Sequence, residues 1–594
     1  MIKDATGHKV FGVAQSISRK KWIERPYEPR AALGLAQQFN LPALMGRLLS
    51  SRGIDAEGVN SYLNPKLNTL LPDPLHLLGM KDGLNRLLDA VEKGQNIAVF
   101  GDYDVDGATS SALIYRYFLA IGIKIRIYIP DRLKEGYGPN IPAIDQLKSE
   151  STNLIITVDC GTAAHESLSY AKQQNIDVLV VDHHVAEAVL PEAIAVINPN
   201  RLDENTPHRQ LAAVGVSFLL IIGLNKVLRE CGYFKNNNIS EPDMMQWLDL
   251  VALGTVADVV PLIGINRALV KQGLKVMAMR RNIGLLALAD IAELDETPGA
   301  YHLGFIFGPR INAGGRVGES HLGAKLLTTE DQNEAVKLAK ILDKYNQDRK
   351  QIETEIYDQA LKLVDTQRSR HTLIIVGEGW HPGVIGIIAS RLKERFGVPT
   401  CVLTRNGDKI TGSGRSVYGV DLGSVVIAAR QRGILTAGGG HAMAAGFTVM
   451  AEKLEAFKEF TETRISNFVE EHDIKPTLTI DSTLSVEGAT IELVKYLERL
   501  GPFGSGNAEP RFAFESLRIA KSDVVGKDHV RCHLVDTIGQ RLQAISFRSL
   551  DTDLGQRLLN HGGLPLNLVG RLRENSWQGR SSVQLLIDDG AEVN

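Results

Sequence analysis

The chain is poor in cysteine. Its 594 residues include four, Cys160, Cys231, Cys401 and Cys532. They lie far apart and form no CxxC pair, which argues against a disulfide framework and a zinc knuckle. The chain also lacks an excess of charge of either sign: 66 basic residues face 69 acidic ones, for a formal net charge of −3. No global field draws it to nucleic acid, so a polyanion site must come from local clustering or from cations held by carboxylates. No apolar run is long enough to span a bilayer, and the N-terminal stretch has no apolar core of signal-peptide length. No membrane association is expected, and the cytoplasm is the expected compartment.

What is present is ordinary in bulk and unusual in places. A hydrophobic fraction of 44% and a charged fraction of 23% describe a globular protein, and the length is too great for one core. Residues 1–80 form a mixed N-terminal extension with a basic stretch (Arg19, Lys20, Lys21, Arg25, Arg30). Between about 90 and 200, apolar runs at Ile97–Phe100, Ile123–Ile129, Leu154–Val158, Val178–Val181 and Ala193–Ile197 alternate with helical stretches. That alternation predicts an open parallel sheet covered by helices. Residues 210–290 read as mainly helical. From Ala335 to Leu363 an apolar stripe with no proline or glycine predicts a long helix, capped at Thr328-Thr329-Glu330-Asp331, either a rigid connector or a core helix. A second α/β pattern begins at Leu373, and residues 475–594 turn to short alternating runs typical of a small β-barrel or sandwich. The expected units are an extension (1–80), a catalytic domain (81–325), a connecting helix (326–370), a second α/β domain (371–470) and the barrel (471–594).

The chemistry concentrates at the ends of the apolar runs. Gly101-Asp102-Tyr103-Asp104-Val105-Asp106-Gly107 places three carboxylates directly after a buried strand. Carboxylates so crowded are hard to keep ionised without a counter-charge. Asp159 follows a second run, Asp182-His183-His184 a third, and Asp258 a helical stretch. A lone acid at a strand end is usually a turn former or helix cap. Repeated at several strand ends, these acids would converge on one edge of the sheet. Five or six carboxylates with one or two imidazoles make a site for two cations, Mg²⁺ or Mn²⁺, with histidine favouring Mn²⁺. Two such ions suit hydrolysis of a phosphate ester.

Taken together, the aspartate run, Asp159, Asp182-His183-His184 and Asp258 resemble the DHH phosphoesterase superfamily. Asp102 stands where that superfamily's pyrophosphatases carry histidine, which points to its single-strand-specific exonuclease branch. Gly438-Gly439-Gly440-His441 through Gly446 resembles the glycine-rich signature of the DHHA1 domain, and Pro309-Arg310 through Arg316 agrees with the same branch. The resemblance implies an α/β fold: a parallel-sheet DHH domain joined by a long helix to an α/β DHHA1 domain, plus a C-terminal OB-like β-barrel. It implies a metal-dependent exonuclease that degrades single-stranded DNA from the 5′ end to 5′-mononucleotides, in repair and recombination. A cleft too narrow for duplex would account for the selectivity.

By the same resemblance Asp104, Asp106, Asp159, His183 and Asp258 hold metal. Asp102, Asp182 and His184 touch the ions or stand directly beside their ligands, with His184 or a nearby base orienting the water or a phosphate oxygen. Arg132, Arg310, Asn312, Arg316, Ser413, Arg415, Gly439, Gly440 and His441 contact substrate, Ser413 and Arg415 at a terminal 5′-phosphate. Trp577 and the arginines 511, 541, 548, 571, 573 and 580 are the candidate barrel surface for DNA, with Phe503, Phe512 and Phe547 expected mostly to fill the barrel. Expected partners are single-stranded DNA, single-strand-binding protein and a helicase, with the chain a monomer. Two other readings stand beside this one: a phosphodiesterase for short oligonucleotides or cyclic dinucleotides, and an inactive DNA-binding scaffold, which the intact acidic set opposes.

Overall fold

The computed structural model describes residues 8–593 except 133, 368, 370, 578 and 579, and not the side chains of 365, 366, 576, 577 and 580. Five parallel strands, β1 (Ile97–Gly101), β2 (Arg126–Tyr128), β3 (Leu154–Val158), β4 (Asp177–Val181) and β5 (Ala195–Ile197), form a sheet in the order β2-β1-β3-β4-β5. β1 and β3 are buried at every position, as expected of strands covered on both faces. The five apolar runs read from the sequence coincide with these strands. Helices α1 (Val105–Ala120), Ala213–Glu230 and α2 (Leu248–Ala257) pack beside the sheet, α1 against both of the others.

The long helix α3 (Gln332–Gln367) is capped by Asp331, whose carboxylate accepts from Asn333 N and Glu334 N at 2.7 and 3.1 Å. It serves as both a connector and a core helix. Its first half (Ala335, Leu338, Ala339, Leu342) lies in the core with α1 and α2, and its second half (Ile356, Ala360, Val364) in the core of the second domain. That domain is a mixed sheet of β6 (Leu373–Glu378), β7 (Thr400–Asn406), β8 (Lys409–Arg415), β9 (Ala437–His441) and β10 (Ala444–Met450) in the order β9-β10-β8-β7-β6. β9, the glycine-rich strand, lies at its edge.

The C-terminal strands β11 (Phe512–Val525), β12 (His529–Val535), β13 (Arg541–Ser546), β14 (Leu566–Trp577) and β15 (Arg580–Glu592) close into a barrel through the β11–β14 pairing. The run Leu478–Ile480, expected within this barrel, belongs instead to a strand (Thr477–Ile480) that pairs in parallel with Lys21–Glu24 of the N-terminal extension. The extension is fastened to the barrel: Leu35, Met45, Leu48 and Leu49 share its core, and Trp22 Nε1 donates to buried Asp589 at 2.9 Å. Among the described residues no helix is long and apolar enough to cross a membrane.

Candidate active site and metal centre

Parallel register brings the acids together. At the carboxyl edge of the sheet each motif's first acid continues the ladder, its N–H donating to the last carbonyl of the next strand. Asp102 N donates to Val158 O (3.3 Å), Asp159 N to Val181 O (3.1 Å) and Asp182 N to Ile197 O (3.1 Å). Three separate motifs are thereby levelled on one edge, where ligands of open α/β sheets bind. Asp104 caps α1, its Oδ1 accepting from Asp106 N and Gly107 N. Asp106 is fully buried, its two oxygens accepting from Ala213 N (2.7 Å) and Val214 N (2.9 Å) at the positive end of helix Ala213–Glu230. Asp258, at the C-terminus of α2, closes the ring.

His183 Nε2 lies 3.3 Å from Asp159 Oδ1, 3.5 Å from Asp258 Oδ2 and 3.9 Å from Asp106 Oδ2. Asp102 Oδ1, Asp159 Oδ1, His183 Nε2 and Asp258 Oδ2 are buried without a hydrogen-bond partner. Buried polar atoms are normally satisfied, and here several acceptors face one another. Potential ligand atoms fall into three overlapping sets, each within 4.8 Å: Asp102, Asp104 and Asp159; Asp106, His183 and Asp258; Asp159, His183 and His184. This oxygen-rich donor set fits divalent cations of the Mn²⁺ or Mg²⁺ type.

Electrostatics agree with the geometry. Burial, then the charge of Asp104, raises the Asp106 carboxyl to about 7. Burial, then Asp106 and Asp104, raises Asp258 to about 9. Asp102 and Asp159 are also raised, by burial and then Asp104. The two histidines separate. Burial, then His184, lowers His183 to about 4, so it is a neutral imidazole free to ligate. Burial would lower His184 too, but its hydrogen bond and charge pairing with Asp182 overcome this and raise it to about 9. His184 Nδ1 donates to Asp182 Oδ1 at 2.8 Å, and the same oxygen accepts from His183 N and His184 N. Burial works to raise Asp182, yet the hydrogen bond and charge of His184 hold it below the usual carboxylate range.

Sequence reasoning missed the supports. Asn200 Nδ2 donates to His183 O at 2.6 Å, Asn198 Nδ2 to His184 O at 2.8 Å, and Tyr137 Oη to Asp159 O at 3.0 Å. Asn198 and Asn200 are spaced to hold two consecutive carbonyls of the histidine turn, a relation invisible without the fold.

The expected substrate residues divide. Arg316 belongs to the site: burial, then Arg132 and Arg349, lower its guanidinium to about 10, with Asp104 opposing and Arg415 adding to the effect. Its Nη1 donates to Gly383 O, joining the two α/β domains. Arg132 lies over the Tyr103 ring at 5.0 Å. Arg415 Nη1 donates to Ser413 Oγ at 3.2 Å. A Cβ on Gly386 would lie 3.0 Å from both side chains, so glycine here lets the helix Ile385–Phe396 start close to them without displacing either. His441, at the end of β9 after Gly439-Gly440, is near enough to act electrostatically on His183.

Others are already engaged. Arg310 Nε pairs with Asp343 of α3 at 2.9 Å, and Asn312 Oδ1 accepts from Val105 N at 3.1 Å, bracing the aspartate loop. In the barrel, Arg511 and Arg571 pair with Asp588, and Arg571 and Arg573 with Glu509. Phe512 is buried and Phe503 partly so, but Phe547 is 55% exposed against His529. The side chains of Trp577 and Arg580 lie outside the described residues.

A parallel sheet whose strand ends present convergent carboxylates, facing a second α/β domain across an arginine-lined seam, defines a metal-dependent phosphoesterase of the DHH–DHHA1 architecture. Family models agree: the DHH family N-terminal domain matches residues 96–255, the DHHA1 domain 370–467 and the RecJ OB domain 480–589. The chain is 36% identical over 562 residues to the single-stranded-DNA-specific exonuclease RecJ of Escherichia coli, covering 92% of this chain and 96% of that one. It is 34% identical to the RecJ of Bacillus subtilis, covering 97% and 71%. The crystal structure of RecJ in complex with Mn²⁺ from Thermus thermophilus superposes with a TM-score of 0.78 at 27% identity, covering 96% of this chain and 78% of that one. This chain belongs to the RecJ family of DHH exonucleases.

Proposed function

We propose that this chain hydrolyses single-stranded DNA from the 5′ end, releasing 5′-mononucleotides, with two Mn²⁺ or Mg²⁺ ions bound at the carboxylate cluster. The observation that carries the reading is the set of four buried, unpartnered ligand atoms on Asp102, Asp159, His183 and Asp258. In this reading Asp104, Asp106, Asp159, His183 and Asp258 hold the ions, and Asp102 supports Asp104 and Asp159, with which it shares one of the three sets. Bound divalent cations supply charge neutralisation at the phosphate and a water of lowered pKa. His184, charged and fixed by Asp182, donates its free ring N–H to a phosphate or leaving oxygen. Arg132 and Arg316 bind phosphate oxygens beside the metal centre. Ser413, Arg415 and the N-terminus of helix Ile385–Phe396 hold the terminal 5′-phosphate, which sets the polarity. The backbone of Gly439-Gly440 and the His441 ring line the approach. Arg310 and Asn312 serve by bracing α3 and the aspartate loop.

The functional units proposed are 1–80, 81–325, 326–370, 371–470 and 471–594. The chain acts as a cytoplasmic monomer in repair and recombination, alongside single-strand-binding protein and a helicase. The test compares long single strands labelled at the 5′ end with dinucleotides and blunt duplexes in Mn²⁺. Mononucleotide release from the long strands is expected. Cleavage confined to dinucleotides, or equal attack on blunt duplex ends, would overturn the reading.

A further inference from the structure

Away from the carboxylates, one helix gathers three cations that form no ion pair among the described residues. Helix Gly264–Ala278 carries Arg267, Lys271 and Lys275 at intervals of four, which places them on one face. Where this face meets the N-terminal extension there is a cavity of about 360 Å³. Lys66, Lys271 and Lys275 line it with the amides of Asn64, Asn68 and Gln272, and none of its described lining residues is acidic. Lys271 Nζ donates to Leu63 O at 3.1 Å. Burial, then Arg267, Lys275 and Arg499, lowers its pKa, with no carboxylate opposing.

Arg267 is 2% exposed. Its Nη2 donates to Tyr62 O and Gly501 O, its guanidinium lies 3.9 Å over the Tyr62 ring, and its Nε and Nη1 have no partner. Like charges four residues apart on a helix destabilise it. The helix dipole favours Lys275 in the last turn but opposes Arg267 in the first, so dipole compensation does not account for the stripe. An anion in the cavity would offset Lys271 and Lys275, the two residues of the stripe that line it.

We infer that this cavity is a phosphate-binding pocket of nucleotide size, seated across the seam between the N-terminal extension and the catalytic domain. Its volume falls in the usual range for small-ligand pockets, about 300–1,000 Å³. Its polar lining is rich in N–H donors, as a phosphomonoester dianion requires, and Met245 adds an apolar wall. Asp258 precedes the first turn of this helix, whereas Lys275 lies roughly 16 Å along it at a rise of 1.5 Å per residue. The pocket is therefore separate from the metal centre and does not depend on the exonuclease reading.

The phosphate could belong to a free nucleotide or to a DNA backbone, and the experiment separates these sources. Metal-free full-length Arg415→Ala protein, with the terminal-phosphate site disabled, is titrated calorimetrically with dAMP and with a long oligonucleotide. The same titrations are repeated after adding Lys275→Glu, or Lys271→Gln with Lys275→Gln. Lys275 is exposed, so its reversal spares the core. Loss of about tenfold in dAMP affinity, the scale of one charge-assisted contact, supports a nucleotide pocket. A similar loss confined to the oligonucleotide supports the backbone source. Tungstate soaked into crystals should give an anomalous peak beside Lys271 and Lys275. Unchanged affinities for both ligands, with tungstate seen only elsewhere, overturn the inference. Exonuclease assays on the same preparations report separately on the catalytic reading.

Discussion

Asp159 has a φ of 60°, a left-handed conformation that costs a non-glycine residue roughly 1–2 kcal/mol. The ladder bond to Val181 O and the Tyr137 hydroxyl on its own carbonyl hold it there. Asp106→Ala is expected to lower nuclease activity by about 10²–10³-fold, as for loss of a principal electrostatic group, while DNA binding on filters persists; unchanged activity would remove the metal assignment. Asn200→Ala, which frees the His183 carbonyl, should weaken Mn²⁺ activation by about 10–100-fold, read as a shift in the metal-titration midpoint. The raised carboxyls fix the sign of a pH effect. Asp106 and Asp258, at about 7 and 9 when folded, titrate near 4 when unfolded. Between those values the folded metal-free chain binds more protons, so its stability falls as pH rises. Metal displaces those protons, so the rise in Tm on adding Mg²⁺ should be larger at about pH 8 than at about pH 6. A metal-free Tm that climbs over that span would contradict the crowding. At this scale the acids were legible as motifs, because a carboxylate after an apolar run stands out. Asn198, Asn200 and Tyr137 were not, because an amide or phenol acquires its role only from the carbonyl it meets.

Among the elements, α3 shows how a continuous apolar stripe can serve two cores. At 36 residues it is about 54 Å long. Gln347 is exposed on it between the two cores. Gln347→Pro should cost about 3 kcal/mol or more locally and misalign Arg316 against Arg415. Nuclease activity would then be lost with most far-UV circular dichroism retained, whereas Gln347→Ala should be neutral. Full activity in the proline variant would show that the helix does not set the spacing. Gly254 marks a close helix contact at the site: a Cβ there would lie 2.3 Å from Thr109 Oγ1 and 3.1 Å from Asp106 Oδ1. Gly254→Val is therefore expected to lower stability by about 1–3 kcal/mol and to weaken Mn²⁺ activation through Asp106, measured by urea unfolding and metal titration. The five strands and α3 were legible because burial on both faces and a 3.6-residue stripe write themselves into residue order. The run Leu478–Ile480 reads as part of the barrel because a short alternating run fits any open edge, and the one it takes is supplied by Lys21–Glu24.

The whole molecule brings chemistry from opposite sides of a seam into one place. Arg316 from the first domain touches Gly383 of the second, and Arg415 and His441 act on groups across the gap. In the proposed reading, in which Arg415 holds the terminal phosphate, Arg415→Ala should raise KM for 5′-phosphorylated strands more than for 5′-hydroxyl strands, by about tenfold; an equal effect on both would place Arg415 elsewhere. The N-terminal extension, read as an appendage, shares the barrel's core through Leu35, Met45 and Leu48. Barrel arginines read as a DNA surface are in part neutralised by Glu509 and Asp588. Residue order alone determined the sheet, the connecting helix and the acidic motifs, because each depends on local periodicity or on fixed spacing within one segment, and the resemblance of those motifs to a known superfamily pointed to the family. The tertiary structure alone decided which histidine is neutral, which arginines remain available and where unbalanced lysines meet, because burial and charge pairing depend on distances between residues hundreds of positions apart.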